Sequence, residues 1–364
     1  MISSSGSTQL SRTLDLFPIP AKGPDVRTVR EDFSHYLRTT QLLSARTTLE
    51  LPGLAQVRFI HKEEADAWAE VARKRNVYAR HSWENNFYLQ RIRALSNRTV
   101  IQVSRKGDPD EMIPQAKKVA EITEKIGVLS STLAIPREKL HRLLGIAIHR
   151  RSEFDVTIGR RFYYLRSKSR PQPILRGIIV DGQFCKRFQT CGFTQLAGLC
   201  LCGSDVAFRV RTAIDWLFES RQEPLLTAAI VKTSIALESL LVFSESEPLT
   251  QSLSERAAFI LTSDSDQRRE VSRALKRFYE ARSGLVHGSR KKMRLLTTSL
   301  VEGVDRLAVL ACLLFASNHH KLDSAESLRE WCEGQRWGVP SRLSMPFSKA
   351  YLTKAIALCS RKAP

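Results

Sequence analysis

The stretch FYEARSGLVHG, residues 278–288, joins the end of a predicted amphipathic helix to residues suited to acid–base and phosphate chemistry. Arg282 and His287 stand five positions apart in it, and Gly284 and Gly288 accompany them. An Arg–His pair at this spacing occurs by chance in many proteins, so its setting decides what it indicates. We expect the helix to end near Arg282 and the glycines to turn the backbone, so that both side chains reach one cleft.

The sequence around this stretch is helical almost throughout, from Asp205 to His320. Apolar residues recur at the spacing of helices that bury one face, and polar breaks such as residues 244–248 separate the segments. Short polar connections between such helices are typical of an antiparallel bundle. The predicted helices are Val206–Ser220, Leu225–Phe243, Leu253–Leu261, Asp266–Arg282 and Met293–Asn318.

The region before the bundle mixes short β-branched runs with helical patterns. Strands are predicted at Val57–Ile60, Thr99–Val103, Phe154–Arg166 and Ile174–Val180, and helices at Glu63–Arg75, Glu111–Ile126 and Pro136–Ile148. The predicted fold is therefore mainly α, with a C-terminal helical bundle preceded by an irregular α/β domain. The predicted divisions are a disordered tail at 1–19, a basic α/β domain at 20–204, the bundle at 205–320 and a C-terminal extension at 321–364.

The positive charge is concentrated in the N-terminal region. The chain carries a net charge of +20 at pH 7, and residues 1–204 hold 33 Lys and Arg against 19 Asp and Glu. Residues 205–320 hold 16 against 14 and are nearly neutral. A field of this sign attracts polyanions, of which nucleic acid is the usual one, although basic residues can also serve only solubility. The candidate nucleic-acid contacts are Arg160, Arg161, Arg166, Lys168, Arg170, Arg290, Lys291 and Lys292.

Composition favours a cytoplasmic protein without a bound cofactor. The seven cysteines are odd in number, and the chain has no basic start followed by an apolar run, so we expect free thiols in a reducing compartment. No apolar stretch of about 18 residues predicts a membrane span. The spacing of Cys185, Cys191, Cys200 and Cys202 does not match paired C-x2-C zinc ligands, and the chain has no P-loop pattern. We therefore predict no metal, no cofactor and no membrane partner.

The Arg–His pair has the chemistry that RNA cleavage needs without a metal. The 2′-hydroxyl of RNA can attack the adjacent phosphorus when a base removes its proton and an acid protonates the leaving oxygen. Imidazole titrates near neutral pH, so His287 suits proton transfer. The guanidinium of Arg282 stays charged and can hold two phosphate oxygens at once. If two copies pair around this segment, one His can act as the base and the other as the acid.

The bundle region also resembles the Apea-like branch of the HEPN superfamily. The resemblance covers about residues 205–320 and rests on the strings at 279–288, 236–241 and 253–258. It implies a helical bundle that pairs as a homodimer and a metal-independent endoribonuclease, often a toxin or an antiviral-defence effector, whose catalytic pair matches Arg282 and His287. Active members often carry Asn, Asp or His after the Arg, whereas Ser283 resembles the Apea-like branch. A separate N-terminal domain of this size is expected to receive a trigger or regulatory partner.

Bland alternatives exist for each of these residues. Arg282 and His287 can simply cap carbonyls at a helix end, and the bundle can be a non-catalytic dimerisation or RNA-binding module. Glu280 and Glu238 can each orient the pair or be ordinary helix carboxylates. Tyr279 can stack on a base or pack in a dimer seam, and packing is the favoured interpretation.

Overall fold

The computed structural model of the chain describes residues 33–39, 42–43, 47–75, 89–90, 92–106, 109–137, 155–158, 163–165, 178–243, 247–339 and 343–361. Within them the chain is mainly helical, as predicted. These residues form two compact units. The first contains the described residues up to Glu124 and those from 155 to Cys185, and the second contains the described residues of 125–147 and those from Lys186 onward. The predicted boundary at 205 therefore differs from this division.

An antiparallel sheet forms the first unit together with a helix. The strands are β1 Phe33–Thr39, β2 Leu42–Leu43, β3 Leu49–Leu51, β4 Ala55–Ile60, β5 Arg98–Lys106, β6 Asp155–Ile158, β7 Tyr163–Leu165 and β8 Ile178–Ile179. Six strands of the antiparallel sheet have the order β3-β4-β5-β1-β6-β7, and a parallel pair joins β2 to β8. The strands predicted at Val57–Ile60 and Thr99–Val103 are confirmed as β4 and β5, with Val57 opposite Ile101.

Helix α1, Lys62–Arg75, confirms the helix predicted at Glu63–Arg75. Its apolar stripe, including Ala65 and Trp68, packs with Ile60 and Val100 in one buried cluster. The prediction of a single strand over Phe154–Arg166 is wrong, because β6 and β7 pair antiparallel with Asp155 opposite Leu165. The helix predicted at Pro136–Ile148 lies almost wholly outside the described residues.

The second unit is a set of packed helices. The helices predicted between residues 206 and 261 are confirmed within a few residues of each end, and the one predicted over Met293–Asn318 is interrupted at 294–297. Residues 182–201 form two helices that the sequence analysis missed. Two helices have residues in both units: α2, Pro109–Thr132, belongs to the first unit up to Glu124, and α3, Gly182–Thr190, belongs to the first unit up to Cys185. The helices wholly in the second unit are α4 Phe193–Leu201, α5 Asp205–Gln222, α6 Leu226–Leu241, α7 Leu249–Leu261, α8 Ser265–Val286, α9 Arg290–Met293, α10 Thr298–Ser317, α11 Ala325–Arg336 and α12 Lys349–Ser360. None of these described helices combines the length and the apolar composition that a membrane crossing needs.

Helix α10 is the centre of this unit, because it is buried from Leu300 to Ala316. It packs against α4, α5, α6, α7, α8 and α12. The contact with α12 shows that the C-terminal extension belongs to the same unit as the bundle. Glycine at position 303 makes this contact possible, since a Cβ there would collide with the Cys359 sulfur and lie 2.9 Å from the Ala355 carbonyl oxygen.

Replacing Gly303 by alanine should therefore destabilise the protein, by about 1–3 kcal/mol, because the added methyl group must push α12 away. Gly198→Ala in α4 is the matched control, since a Cβ at Gly198 meets nothing within 4 Å. That control should be neutral or stabilise by up to about 1 kcal/mol, because alanine favours a helix over glycine. Denaturant unfolding of both variants measures the difference. Equal stability of the two variants would show that α10 and α12 do not approach as closely as described.

A buried charged network lies at the same level of α10. The Glu302 carboxylate accepts hydrogen bonds from the Arg137 backbone N–H at 2.7 Å, from Arg221 at 2.8 Å and from Arg306 at 2.9 and 3.0 Å. Arg137 also donates to Asp305 at 3.0 Å. All five side chains are buried. The network ties the segment after α2 to α5 and α10, and nothing in the sequence analysis predicted it.

Candidate active site

Helix α8 carries most of the predicted site. The Asp264 side chain caps its start by accepting from the backbone N–H groups of Asp266 and Gln267. Its inward face buries Val271, Leu275 and Phe278. The prediction that this helix ends at Arg282 is wrong, because it continues to Val286, with His287 as the C-terminal cap.

Of the two glycines, Gly288 has the predicted role and Gly284 does not. Gly284 lies inside α8 and does not turn the chain. A Cβ at Gly284 would lie 2.5 Å from the Lys292 Cβ and 2.9 Å from the Met293 nitrogen, so this glycine admits α9 against α8. Gly288 has a φ of 69° and does form the turn after the helix. The turn therefore comes after His287 and not between the two predicted catalytic residues.

Arg282 lies next to Glu238 of helix α6 and to Tyr279 of its own helix, α8. The Arg282 Nη2 atom is 3.7 Å from the Glu238 Oε1 atom, which is ion-pair range and longer than a hydrogen bond. The side chain of Arg282 is 29% exposed, and its Nε atom is buried without a hydrogen-bond partner among the described residues. Most guanidinium donors are thus uncommitted, while Glu238 keeps the charge close by.

Tyr279 is buried beside this pair. Its hydroxyl lies 3.3 Å from both the Ser234 carbonyl oxygen and the Glu238 carboxylate, to which it can donate. Burial, together with the Glu238 carboxylate, raises the pKa of Tyr279, so the hydroxyl remains a donor at neutral pH. The contacts of Tyr279 therefore favour packing over base stacking. The residue packs inside the bundle, whereas the sequence predicted packing in a dimer seam. Glu238 has the contacts expected of a residue that orients Arg282, which is the stronger of the two carboxylate predictions.

His287 lies in solvent at the other side of the helix. It is exposed, and its backbone N–H donates to the Ser283 carbonyl at 3.0 Å. In the part of the chain that the structure describes, its imidazole has no hydrogen-bond or ion-pair partner. Five helical positions rotate a side chain by about 140°, so Arg282 and His287 do not project from the same face of α8. One chain by itself does not bring the predicted pair together.

The remaining predicted residues are distributed as follows. Glu280 is exposed and Ser283 is half-buried on α8. Arg290, Lys291 and Lys292 are exposed on α9, directly after His287. The other predicted nucleic-acid contacts lie outside the described residues: Arg160, Arg161, Arg166, Lys168 and Arg170.

The sequence analysis missed a set of basic residues on the same helix. Arg269, Arg273 and Lys276 are exposed on α8, at spacings of four and three residues. This spacing places them on one helical face, and it was visible in the sequence. The nearly neutral total charge of residues 205–320 hides this local cluster.

The comparisons with known proteins leave the family of the chain open. Neither the known protein-family models nor the curated proteins nor the solved structures gave a match. The HEPN resemblance therefore remains a prediction from the residues of 205–320. Among the described residues, no group of three or more His, Cys, Asp or Glu side chains is arranged to hold a metal ion.

Proposed function

We propose that the chain is a HEPN-type endoribonuclease that cleaves RNA without a metal, serving as a toxin or antiviral-defence effector. The carrying observation is the exposed His287 at the end of α8, which has no side-chain partner among the described residues and stands five residues beyond an Arg282 that Glu238 holds by charge. Groups that bind a reacting phosphate need uncommitted donors, and Arg282 keeps most of its donors uncommitted because its contact with Glu238 is longer than a hydrogen bond. A trigger acting through the N-terminal region would fit an effector of this kind.

The proposed reaction is an internal transfer at phosphorus. One imidazole removes the proton of the 2′-hydroxyl, and the 2′-oxygen then forms a bond to phosphorus. The bond from phosphorus to the 5′-oxygen breaks, and a second protonated imidazole gives that oxygen its proton. The products are a 2′,3′-cyclic phosphate and a 5′-hydroxyl. The Arg282 guanidinium stabilises the charge that builds up on the phosphoryl oxygens.

Pairing of two copies would bring an Arg282 and a His287 together, which one chain by itself does not do. Arg282 and His287 lie on different sides of α8, so a site needs residues from two helices or a large rearrangement. Val286, next to His287, is 60% exposed, so its side chain would lie inside such a contact. A homodimer around the ends of two α8 helices would place two imidazoles and two guanidinium groups near one cleft. This supports the dimer that the resemblance implies.

Arg282→Lys tests the role of the guanidinium. Lysine keeps the charge but cannot contact two phosphate oxygens in one plane, so we expect RNA cleavage in EDTA to fall by about 10²-fold or more. Arg277→Lys is the matched control on the same helix, where the guanidinium donates to the Cys359 carbonyl at 3.1 Å. It should retain cleavage. Full activity of Arg282→Lys would remove Arg282 from the mechanism.

The second candidate function is a non-catalytic dimerisation or RNA-binding module. The separation of Arg282 from His287 in one chain favours it, and so does Ser283 where active relatives of the proposed family often carry Asn, Asp or His. Growth of cells that express the chain separates the two functions. A nuclease should slow growth through His287, and the His287→Ala variant should restore it. Slow growth that persists in that variant would favour binding alone.

A further inference from the structure

An open groove of about 440 Å³ lies between α7 and α8, away from the Arg282–Glu238 pair. Its wall on α8 is basic: Arg268, Arg269, Arg273 and Lys276 line it. The one carboxylate that lines it, Glu255, is already bound by Arg336 at 2.8 and 3.0 Å. The groove therefore offers positive charge within a region whose total charge is nearly neutral.

The outer cations of the groove are available to a ligand. Arg269 and Arg273 are 72% and 69% exposed, and among the described residues they pair with Asp266 at 3.4 Å and Glu270 at 2.9 Å on the same helix. Exposed pairs of this kind contribute little, because water screens the charges. Both arginines can therefore exchange a carboxylate for a phosphate at small cost. Lys276 is exposed as well.

The floor of the groove differs from its rim. Arg268 is partly buried there, donating to the Thr262 carbonyl at 2.8 Å and to Gln335 at 2.9 Å. Its guanidinium lies 4.9 Å from the centroid of the half-buried Phe259 ring. Burial lowers the pKa of Arg268, without removing its charge at neutral pH. An aromatic ring next to cations that bind the phosphate backbone is a common arrangement in proteins that bind single-stranded nucleic acid.

The basic rim leads to His287. Positions 269, 273, 276, 280, 283 and 287 recur every three or four residues, so they share one face of α8. The rise of about 1.5 Å per residue puts Lys276 about 16 Å and Arg269 about 27 Å from His287 along this face. These six residues form the α8 stripe, in which Glu280 is the carboxylate and lies between Lys276 and His287. Arg282 is not part of this face.

We propose that this groove binds the backbone of single-stranded RNA and leads it along α8 to His287. The proposal extends the proposed function, because it assigns the substrate path of the same site. Repeated cations spaced along one face fit a chain of regularly spaced phosphates better than a single small anion. An acidic protein segment is the competing ligand, and binding of polyglutamate distinguishes it from RNA.

The test measures binding of a 2′-O-methylated oligouridine, which the proposed reaction cannot cleave, to the full chain as salt is varied. The groove variant is Arg269→Gln, Arg273→Gln and Lys276→Gln combined. The control removes three exposed charges from α12 and its end: Lys349→Gln, Lys354→Gln and Arg361→Gln. With about 0.7 counterions released per phosphate of a single strand, the salt slope of the groove variant should fall by about 2, and affinity at low salt by at least tenfold. The control variant should keep its slope within about 0.5 of the wild type.

Glu280→Gln supplies a gain-of-function arm. Removing this carboxylate from the stripe should raise RNA affinity by about threefold, because one repulsion of roughly 0.7 kcal/mol in water is relieved. A purely structural role for the stripe would not produce this increase. Since the probe cannot react, loss of binding is independent of whether the chain cleaves RNA.

Three results would overturn the groove proposal. The first is no RNA binding by the wild type, and the second is an equal loss of RNA affinity in the groove and control variants. The third is a groove variant that binds RNA as the wild type does but no longer binds polyglutamate. The last result would assign the groove to an acidic protein partner. Groove-dependent binding by a chain that never cleaves RNA would support the groove and contradict the proposed nuclease.

Discussion

The His287→Ala variant should lose RNA cleavage by about 10²–10⁴-fold in the presence of EDTA, because it removes the group that transfers the proton. The folded structure should survive, since the His287 side chain is exposed and has no partner among the described residues. The measurement is the rate of cleavage of a labelled RNA by purified chain, with circular dichroism to confirm the fold. Binding of a non-cleavable RNA should change far less than the rate does.

His320→Ala is the matched control for this variant. His320 is also exposed, and it follows a helix end of the second unit, after α10. Its replacement should leave the rate within about twofold of the wild type, because it takes no part in the proposed chemistry. Equal rates for wild type and His287→Ala would show that any cleavage comes from another site or from a contaminant. Equal losses in both variants would point to a general effect on the protein.

The largest effect on stability should come from Glu302. Glu302→Gln keeps the size of the side chain but removes the charge that four hydrogen-bond donors share. We expect a loss of about 3–5 kcal/mol in the free energy of unfolding, because buried arginines then lack their counterion. A loss of this size is a large fraction of the total stability of a domain. Denaturant unfolding monitored by circular dichroism measures it.

The network around Glu302 explains why this loss should be so large. Three buried arginines face only two carboxylates, Glu302 and Asp305, so formal charge is already in excess. The excess is offset by backbone carbonyls near helix ends: Arg306 approaches the Leu133 oxygen at 3.5 Å after α2, and Arg137 approaches the Glu223 oxygen at 2.7 Å after α5. The negative ends of helices favour cations there. With Glu302 neutral, Asp305 and these partial charges must hold three cations.

Glu326→Gln provides the matched control for the network. Glu326 pairs with Arg329 at 3.0 Å on the surface of α11, and its side chain is 64% exposed. This change should alter stability by no more than about 0.5 kcal/mol, because exposed pairs are screened by water. A loss in Glu302→Gln that is no larger than in this control would show that the network is solvated in solution.

The helical pattern of residues 205–261 was predictable because its helices carry apolar residues at helical spacing. Apolar spacing located α5, α6 and α7 within a few residues of each end. Residues 182–201 were not recognised as helical, since their cysteines directed attention to metal ligands. The sequence of α4 contains few polar residues, because it is buried on several sides and lacks a clear amphipathic period.

The rest depended on contacts that sequence spacing does not reveal. Glu302 and Arg306 stand four residues apart, a pattern typical of exposed helix pairs, yet both are buried, and the backbone N–H of Arg137 donates to Glu302 from 165 residues away in sequence. Gly284 was interpreted as a helix terminator, whereas it is retained inside α8 by the close approach of α9. This difference moved the turn past His287. The geometry of the candidate site changed accordingly.

The most direct test of the proposed function uses a DNA oligonucleotide that contains a single ribonucleotide, incubated with the full chain in EDTA. The proposed reaction predicts cleavage only on the 3′ side of that ribose, leaving a 2′,3′-cyclic phosphate and a 5′-hydroxyl. Replacing the ribonucleotide by its 2′-deoxy form should abolish the cut. No cleavage, or cleavage that does not require the 2′-hydroxyl, would contradict a catalytic role for Arg282 and His287.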